Sequence, residues 1–363
     1  MLPETNETID LREILLSNLL TSRQTEILIL TLIVPLGAIG SLFNLISILV
    51  LSRPLFKKLA LFKYLRVYSL TSLFVTFLMF FFFYMAPNLL FDLALSYIGR
   101  FFKCFVANNL ITLLFSFGNV LDILFNLERA SYFNKKFESF KRIPPYYACL
   151  GSLFVCGILH IPNFLIFRIA PTDLIYVERQ LCIYTPFSSS TVGRVLLLTS
   201  FILEGPVVLL LVIITNIIAY ISYKSFLKRK STLNQQQTSQ LASSALPIIS
   251  SEQKKRKEKK ERNQETLVQM TLWISTFSVL IHIIQFSSQV VLFILQRTIK
   301  PEISAWFLFL YSFIIVLKHF SSIFFLYKFN NNFRKSIYIC CSSEGTTRSS
   351  ANTDTNRQPM QQI

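Results

Sequence analysis

Seven long apolar segments alternate with shorter polar ones along most of the chain. The segments are about 22 to 33 residues long, which is enough for an α-helix to cross the hydrocarbon core of a bilayer. Several are apolar all round, as expected for helices that contact lipid as well as each other. The pattern predicts an all-α membrane protein, a seven-transmembrane helix bundle over residues 27–51, 64–85, 101–133, 145–167, 192–223, 266–295 and 303–327.

The polar segments divide the chain into regions. Residues 1–25 form a polar amino-terminal segment, and the bundle occupies residues 26–328. Within it, residues 224–263 form a basic loop that we expect to be disordered, especially the Gln/Ser/Ala-rich part from Leu233. In residues 329–341, Phe329, Phe333 and Ile337 recur every four positions, which predicts a short amphipathic eighth helix at the membrane surface. The tail, residues 342–363, is polar and predicted to be disordered.

The positions of the charged residues indicate the partners of the protein and its orientation in the membrane. The net charge is +17, but the basic residues flank apolar segments, so membrane lipids are expected partners and nucleic acid is not. Seven spans put the two ends on opposite sides. The side with the 224–263 loop collects 26 Lys and Arg residues, whereas the other side collects 9. This bias predicts a multi-pass plasma-membrane protein with an extracellular amino terminus and a cytoplasmic carboxyl terminus.

The third segment carries a cysteine at one end and an acid–arginine pair at the other. Cys104 precedes Arg129 by 25 positions, which corresponds to a rise of roughly 37 Å in an α-helix. That length places Cys104 at one membrane surface and Glu128-Arg129 at the other. Asp122 falls inside the span, where a lone acid is either a functional group or a hydrogen-bonded lock between helices. The sequence leaves both interpretations open.

This segment resembles the third helix of the rhodopsin-like G-protein-coupled receptors, which begins with a disulfide cysteine and ends with an acid–arginine triplet. Asn44 resembles the family's first-helix asparagine, although any helix–helix hydrogen bond would also explain it. Pro206 resembles the fifth-helix proline and predicts a kink there. Tyr327, followed by Phe333-Arg334, resembles the end of the seventh helix. The chain is identified as a divergent, invertebrate-type orphan member of this family, near the peptide receptors.

The resemblance implies a receptor that binds an extracellular ligand and activates a heterotrimeric G protein. It implies a disulfide between Cys104 and Cys182, the two cysteines at one membrane surface, with two free thiols as the alternative. Glu128 and Arg129 match the family's switch pair, in which the arginine alternates between its neighbouring acid and the G protein. Asn6 begins a glycosylation sequon, and Cys340-Cys341 form a palmitoylation pair after the eighth helix.

Three family motifs are absent from the sequence. The second segment has Ser69 or Ser72 where the family has an aspartate that helps to bind sodium. The sixth segment has no proline, and Ile323-Phe324 replace the Asn-Pro that precedes the seventh-helix tyrosine. These departures put sodium coupling and the usual activation hinge in question.

Two residues bear on the ligand. Amine receptors of the family carry an aspartate seven residues after the helix-three cysteine, and here that position is Ile111. An ammonium buried beside it would be unpaired, so a biogenic amine is not the expected ligand. Glu204, near the outer end of the fifth segment, is the other candidate ligand contact. A peptide is the favoured ligand class because of the long outer loop with Asp173 and Glu178, and a lipid or odorant is the alternative that suits an apolar pocket.

A transporter or channel and an opsin are the alternatives to a receptor. A seven-span transporter or channel would carry several intramembrane ionisable residues in matched halves, and the sequence has no internal repeat. An opsin is a further alternative because Lys318 lies in the seventh segment, but the opsin lysine position is occupied by Leu317. No metal-ligand spacing, phosphate loop or nucleophile–base motif is present, so neither an enzyme nor a cofactor is expected.

Overall fold

The computed structural model describes residues 27–57, 59–84, 96–169, 182–243, 266, 269–270, 272–288, 290–291 and 301–341. Eight principal helices follow one another within these ranges. We number them α1 (Ile29–Leu51), α2 (Ala60–Tyr84), α3 (Tyr97–Phe133), α4 (Pro145–Ile166), α5 (Thr191–Ile202, continued by Leu203–Val207 and Val208–Ser243), α6 (Leu272–Ser288), α7 (Pro301–Phe329) and α8 (Asn331–Cys341).

Six of these helices, α1 to α5 and α7, are long and apolar enough to cross a membrane. The described part of α6 is a shorter apolar helix that coincides with the predicted sixth segment. A small antiparallel pair of strands, β1 (Phe167–Ile169) and β2 (Cys182–Tyr184), follows α4, with Ile169 opposite Cys182. The predicted all-α bundle is confirmed.

Side chains at the helix ends explain where several helices begin. Pro145 occupies the first turn of α4, where its missing N–H costs nothing. The Ser190 side chain accepts a hydrogen bond from the Gly193 N–H at the start of α5. Between α7 and α8, the Asn330 Oδ1 accepts a hydrogen bond from the Phe333 N–H, which lets α8 start as a separate helix.

The predicted kink in the fifth helix takes the form of a π-helical turn. Leu203–Val207 adopts this wider winding, and Pro206, which has no N–H to donate, lies inside it. A Cβ added to Gly205 would stand 2.8 Å from the Phe286 ring, so the missing side chain is what lets α5 approach α6 here. The turn therefore sets the distance between the two helices.

The structure corrects the extent of the predicted disordered loop. Helix α5 continues through Ser243, so residues 224–243 of the predicted loop, including the part from Leu233, are helical. Extending an existing helix avoids the cost of nucleation, and Gln, Leu and Ala are adequate helix formers in this segment. Residues 244–263, the amino-terminal segment with Asn6 and the tail 342–363 lie outside the described residues.

Two apolar clusters fill the bundle, and buried polar residues lie close to where they meet. One cluster includes Val50, Leu121 and Leu326, and the other includes Ile33, Val75 and Ile315. Near the boundary between the two clusters, four of the helices carry buried polar residues. They are Asn44 on α1, Ser72 on α2, Asn119 on α3 and Lys318 and His319 on α7. We call these five residues the polar layer.

Close packing brings α1, α2 and α7 together beside this layer. A Cβ on Gly40 would lie 3.2 Å from both Phe320 on α7 and Thr76 on α2. One turn further along α1, the buried Asn44 donates a hydrogen bond from Nδ2 to the backbone oxygen of His319, at 3.1 Å. The first-helix asparagine thus finds a partner, as its cost inside a membrane requires.

Candidate functional site

A cleft opens between α3, α5, α6 and α7 in the half of the bundle that contains Cys104. The cleft is narrow and partly open to solvent. Four helices line it with mixed polar and aromatic side chains, namely Thr112, Phe115, Ser116, Asn119, Phe201, Glu204, Gly205, Leu209, His282, Gln285, Phe286 and Tyr311. We call it the ligand cleft because a concave site with a few converging polar groups suits a small ligand or the end of a peptide.

The predicted disulfide is present at this end of the bundle. Cys104 is bonded to Cys182, and their Cα atoms lie 5.7 Å apart. Because Cys182 belongs to β2, the bond fixes the β1–β2 pair to the start of α3. Cys149 and Cys156, which the sequence placed inside an apolar segment, are free and buried.

The two candidate ligand contacts are in different surroundings. Glu204 lines the ligand cleft from the π-helical turn of α5. Ile111 does not line it, because the residue is packed in the apolar cluster with Val75 and Ile315. The isoleucine therefore contributes to helix packing in this structure, and Glu204 is the acidic group that a ligand in the cleft can reach.

A histidine from α4 lies beside Glu204. The Nε2 of His160 lies 3.2 Å from the Glu204 Oε1 and 3.0 Å from the Ser116 hydroxyl. The Asn163 amide nitrogen, which can only donate, is 2.9 Å from His160 Nδ1. Nδ1 must then accept, which puts the proton of a neutral imidazole on Nε2, where the Ser116 hydroxyl is its hydrogen-bond partner, while Glu204 Oε1 has no hydrogen-bond partner among the described residues. His160 is only 1% exposed, so α4 acts as a rigid support for the cleft carboxylate.

Below the ligand cleft lies an ion pair that is buried inside the bundle. The Nζ of Lys318 on α7 is 3.1 Å from the Oδ2 of Asp122 on α3, and both side chains are less than 10% exposed. Ser278 on α6 donates a hydrogen bond from its hydroxyl to the same carboxylate oxygen at 2.5 Å. His282, also on α6, lies 3.6 Å from it. Together with Asn119, these residues form the buried ion cluster, which joins α3, α6 and α7.

The Lys318 ammonium is fully satisfied. It carries three N–H donors, and three acceptors are in reach, since Asp122 is joined by Asn119 Oδ1 at 2.6 Å and His282 Nε2 at 3.2 Å. The ammonium also lies 5.2 Å from the centre of the Phe115 ring. A buried charge is tolerated only when it is paired and hydrogen-bonded in this way. The arrangement therefore depends on all three helices keeping their positions.

The next residue extends the polar contacts to α2. His319 is fully buried, and its Nδ1 lies 3.0 Å from the Ser72 hydroxyl. Its ring also packs against Tyr68 and Phe115. Ser72 is one of the two serines that stand where the resembling family has an acid, and here it contacts an imidazole.

The arginine at the far end of α3 is held by α6. The Arg129 Nη1 donates hydrogen bonds to Ser275 Oγ at 3.0 Å and to Asn126 Oδ1 at 3.4 Å. Among the described residues no carboxylate forms an ion pair with Arg129, so the contact expected with Glu128 is replaced by these neutral partners. Adjacent residues on a helix point about 100° apart, which separates the two side chains. Nε and Nη2 of Arg129 are buried without a hydrogen-bond partner.

The remaining predicted residues lie elsewhere. Tyr327 is 40% exposed, and its hydroxyl is 3.0 Å from that of Tyr338 on α8, so it joins α7 to α8 and does not enter the polar layer. Cys340 and Cys341 are the last two residues of α8. Asn6 lies outside the described residues. Glycosylation and palmitoylation stay predictions.

Sequence reasoning named Asp122 and Lys318 separately and did not pair them. A signal for the pair exists, because an acid and a base stand alone at mid-depth in two different apolar segments, where each needs a partner. Glu204 and His160 are likewise ionisable residues of two different apolar segments, and the structure places them 3.2 Å apart. Ser275 and Ser278, which hold Arg129 and Asp122 from α6, gave no signal, because serine is common in membrane helices.

No protein-family model matches the chain, and no curated protein matches it. Among solved structures, it is similar to the crystal structure of squid rhodopsin, with a TM-score of 0.60 and 12% sequence identity. The match covers 84% of this chain and 82% of that one. This likeness establishes the fold, and it confirms the rhodopsin-like seven-helix architecture that the resemblance predicted.

Proposed function

We propose that this protein is a rhodopsin-like receptor that binds an extracellular ligand in the ligand cleft and activates a heterotrimeric G protein at the opposite end of the bundle. The proposal rests on two residues that line the ligand cleft and also belong to the buried ion cluster. Asn119 and His282 face the ligand cleft and also contact the Lys318 ammonium of the buried ion cluster. A ligand that moves either side chain changes the contacts that hold α3, α6 and α7 together.

Helix α6 is the element through which such a change would reach the other surface. It is bonded to α3 at two levels, through Ser278 to Asp122 and, about one turn away, through Ser275 to Arg129. Rearrangement at the first level alters the second because both serines belong to one helix. The family mechanism is a population shift between two helix arrangements, and a bundle joined by a few discrete polar contacts suits it.

Arg129 is suited to the coupling role that the resemblance gives it. Two nitrogens of its guanidinium, Nε and Nη2, are without partners, and the residue is buried where a partner enters once α6 moves. Carbonyl oxygens of an inserted G-protein segment would satisfy these groups. Two buried unsatisfied donors also weaken the resting arrangement, which favours a switch over a permanent lock.

Orientation follows from the charge bias, with the ligand cleft extracellular and Arg129 cytoplasmic in the plasma membrane. In this arrangement the disulfide lies in the oxidising compartment, and Asn6 is accessible to glycosylation. Lipid is the surrounding partner, and we propose no role for nucleic acid. Protease applied to intact cells should spare the loop at residues 244–263, and cleavage there would contradict the orientation.

A peptide is the ligand class we propose, and biogenic amines are not expected to activate the receptor. The acid that amine receptors use is replaced by Ile111, which is buried in the apolar cluster. Glu204 is available in the cleft, but His160 and Ser116 already stand beside it. Micromolar activation by dopamine or serotonin would show that an ammonium reaches Glu204, and the variant Glu204→Gln would then abolish the response.

The test of the proposed function is ligand-dependent signalling. Cells that express the receptor are exposed to fractionated peptide libraries with a panel of G-protein reporters. Asn119→Leu serves as the matched variant, because it removes an acceptor from both the cleft and the ion cluster. We expect at least one fraction to activate one reporter in the wild type, with the response lost in the variant at equal surface expression. Responses that are equal in both would refute a mechanism that depends on residues shared by the cleft and the ion cluster.

One observation favours a second candidate, an opsin. The Lys318 side chain lies in the bundle interior with a carboxylate beside it, and its contacts Asn119 and His282 line the ligand cleft. Retinal addition followed by ultraviolet–visible spectroscopy decides between the two. A visible absorption band that disappears in Lys318→Met would favour the opsin, whereas an unchanged spectrum would leave the ligand-activated receptor.

A further inference from the structure

Two buried acceptor oxygens in the ligand cleft have no hydrogen-bond partner among the described residues. One is the Oε1 of Glu204 on α5, and the other is the Oε1 of Gln285 on α6. Gln285 is only 3% exposed, so water has little access to its side chain. A buried acceptor without a donor costs free energy, and a ligand that supplies donors at this point would recover it.

The two oxygens come from the level at which α5 packs against α6. Gly205, the residue after Glu204, lies against the ring of Phe286, the residue after Gln285. A Cβ on Gly205 would stand 2.8 Å from that ring. Because Glu204 and Gln285 both line the cleft beside this contact, one ligand group placed there can donate to both helices.

Deeper polar side chains of the cleft are already engaged. Asn119 Oδ1 accepts a hydrogen bond from the Lys318 ammonium, and His282 Nε2 lies 3.2 Å from the same Nζ. The Ser116 hydroxyl is 3.0 Å from His160 Nε2. A ligand donor that leaves these contacts in place therefore binds at Glu204 and Gln285.

The cleft also has a negative charge that the described residues do not neutralise. None of the described lysines or arginines forms an ion pair with Glu204, and its ionisable neighbour is His160 at 3.2 Å. That imidazole is neutral, because its Nδ1 accepts from the Asn163 amide. The positive charge of Lys318 is balanced by Asp122. A cationic donor is therefore favoured over a neutral one.

Aromatic rings flank the two acceptors. Phe201, one turn before Glu204, and Phe286 both line the cleft, with their ring centres 6.2 Å apart. A guanidinium is planar, stacks on aromatic faces and presents five donors in a fixed arrangement. An ammonium is a compact and more strongly hydrated charge. A narrow cleft with two acceptors and two aromatic rings suits the guanidinium better.

We propose that the ligand cleft binds the guanidinium of an arginine side chain, presented by the peptide ligand of the proposed function, on which this inference rests. The guanidinium donates to Glu204 Oε1 and to Gln285 Oε1 and lies against the Phe286 ring. Glu204 selects for the positive charge. Gln285, which needs a second donor at a fixed distance from the first, selects for arginine over lysine.

The test compares peptides that differ only in one side chain. The full-length protein in nanodiscs is incubated with libraries of acetylated and amidated tetrapeptides in which one position is arginine, citrulline or lysine, and bound peptides are quantified by mass spectrometry. Citrulline keeps the shape of arginine without its charge. We expect arginine peptides to bind roughly 10-fold to 100-fold more tightly than their citrulline counterparts, as is typical of hydrogen bonds between charged groups.

Two variants assign the preference to the two acceptors. Glu204→Gln should abolish the preference for arginine over citrulline, and Gln285→Leu should reduce the preference for arginine over lysine. Glu138→Gln is the matched control, because it removes an exposed carboxylate from the turn Lys135–Arg142 that follows α3, and it should keep both preferences. An unchanged preference in Glu204→Gln, or an equal loss in Glu138→Gln, would overturn the site.

Measurements on the wild type guard against a variant that does not fold. A photoreactive group next to the arginine of a bound peptide should label the receptor fragments that contain Glu204 and Gln285, and labelling confined to other fragments would overturn the proposal. Peptides that bind and activate a reporter without any preference for arginine would overturn the guanidinium site and leave the proposed receptor function standing. Absence of binding by every library would overturn both the peptide ligand and this inference.

Discussion

Removing the buried ammonium is the most direct test of how this bundle is held together. Lys318→Met keeps an unbranched side chain of similar length, so it opens little space, but it takes the cation away from Asp122. The carboxylate then keeps only the Ser278 hydroxyl as a hydrogen-bond donor in the cluster. Breaking a buried pair by removing one partner costs about 3–5 kcal/mol, mainly because the remaining charge is left uncompensated.

The size of the effect can be expressed as a melting temperature. At about 2–4 °C per kcal/mol, the loss corresponds to a fall of roughly 6–20 °C, toward the lower value for a chain of this size. The assay is thermal unfolding of the purified protein in detergent, with Lys224→Met, at an exposed position on α5, as the control that should not change.

A double variant distinguishes the contribution of the ion pair to stability from that of the residues around it. Asp122→Asn with Lys318→Met removes both charges and leaves a neutral side chain that still accepts a hydrogen bond from Ser278. We expect the double variant to be more stable than either single variant, because no unpaired charge remains, with a coupling of about 1–3 kcal/mol. A single variant that melts with the wild type, or a double variant whose losses simply add, would refute the pairing of Asp122 with Lys318.

Three further predictions follow from other contacts. Cys104→Ala should cost about 2–5 kcal/mol and reduce surface expression, because it opens a disulfide between residues 78 positions apart, and equal expression would contradict this. Arg129→Ala should abolish G-protein activation while the protein still folds and reaches the surface; an unchanged response in a correctly trafficked variant would refute the switch role. Gly205→Ala should destabilise the bundle by about 1–3 kcal/mol because its Cβ would meet the Phe286 ring at 2.8 Å, whereas Gly157→Ala, where a Cβ meets nothing within 4 Å, should not; similar melting of both would contradict the tight α5–α6 contact.

The features that sequence predicted well are those set by local physics. A membrane-spanning helix must satisfy its own backbone and match the bilayer thickness, so segment length and apolar composition were enough to find the bundle. The 25-residue separation of Cys104 from Arg129 put them at opposite surfaces for the same reason, and the disulfide to Cys182 is present. Pro206 signalled an irregularity in α5 because a proline removes one backbone N–H from the helix, and the irregularity is a π-helical turn.

The contacts that sequence could not supply depend on how each helix is rotated and how deep it sits. One residue turns a side chain by about 100°, which is why Lys318 can face α3 while its neighbour Leu317 faces elsewhere. The same geometry separates Arg129 from the adjacent Glu128 and gives it Ser275, 146 residues away. Asp122 finds its cation on a helix that follows nearly 200 positions later. The sequence by itself thus determined which charged residues lie in membrane-spanning segments, because segment length and apolar composition identify those segments. Only the packing of the helices decided which charged residues contact each other, because the rotation and depth of each helix determine which side chains face a buried charge.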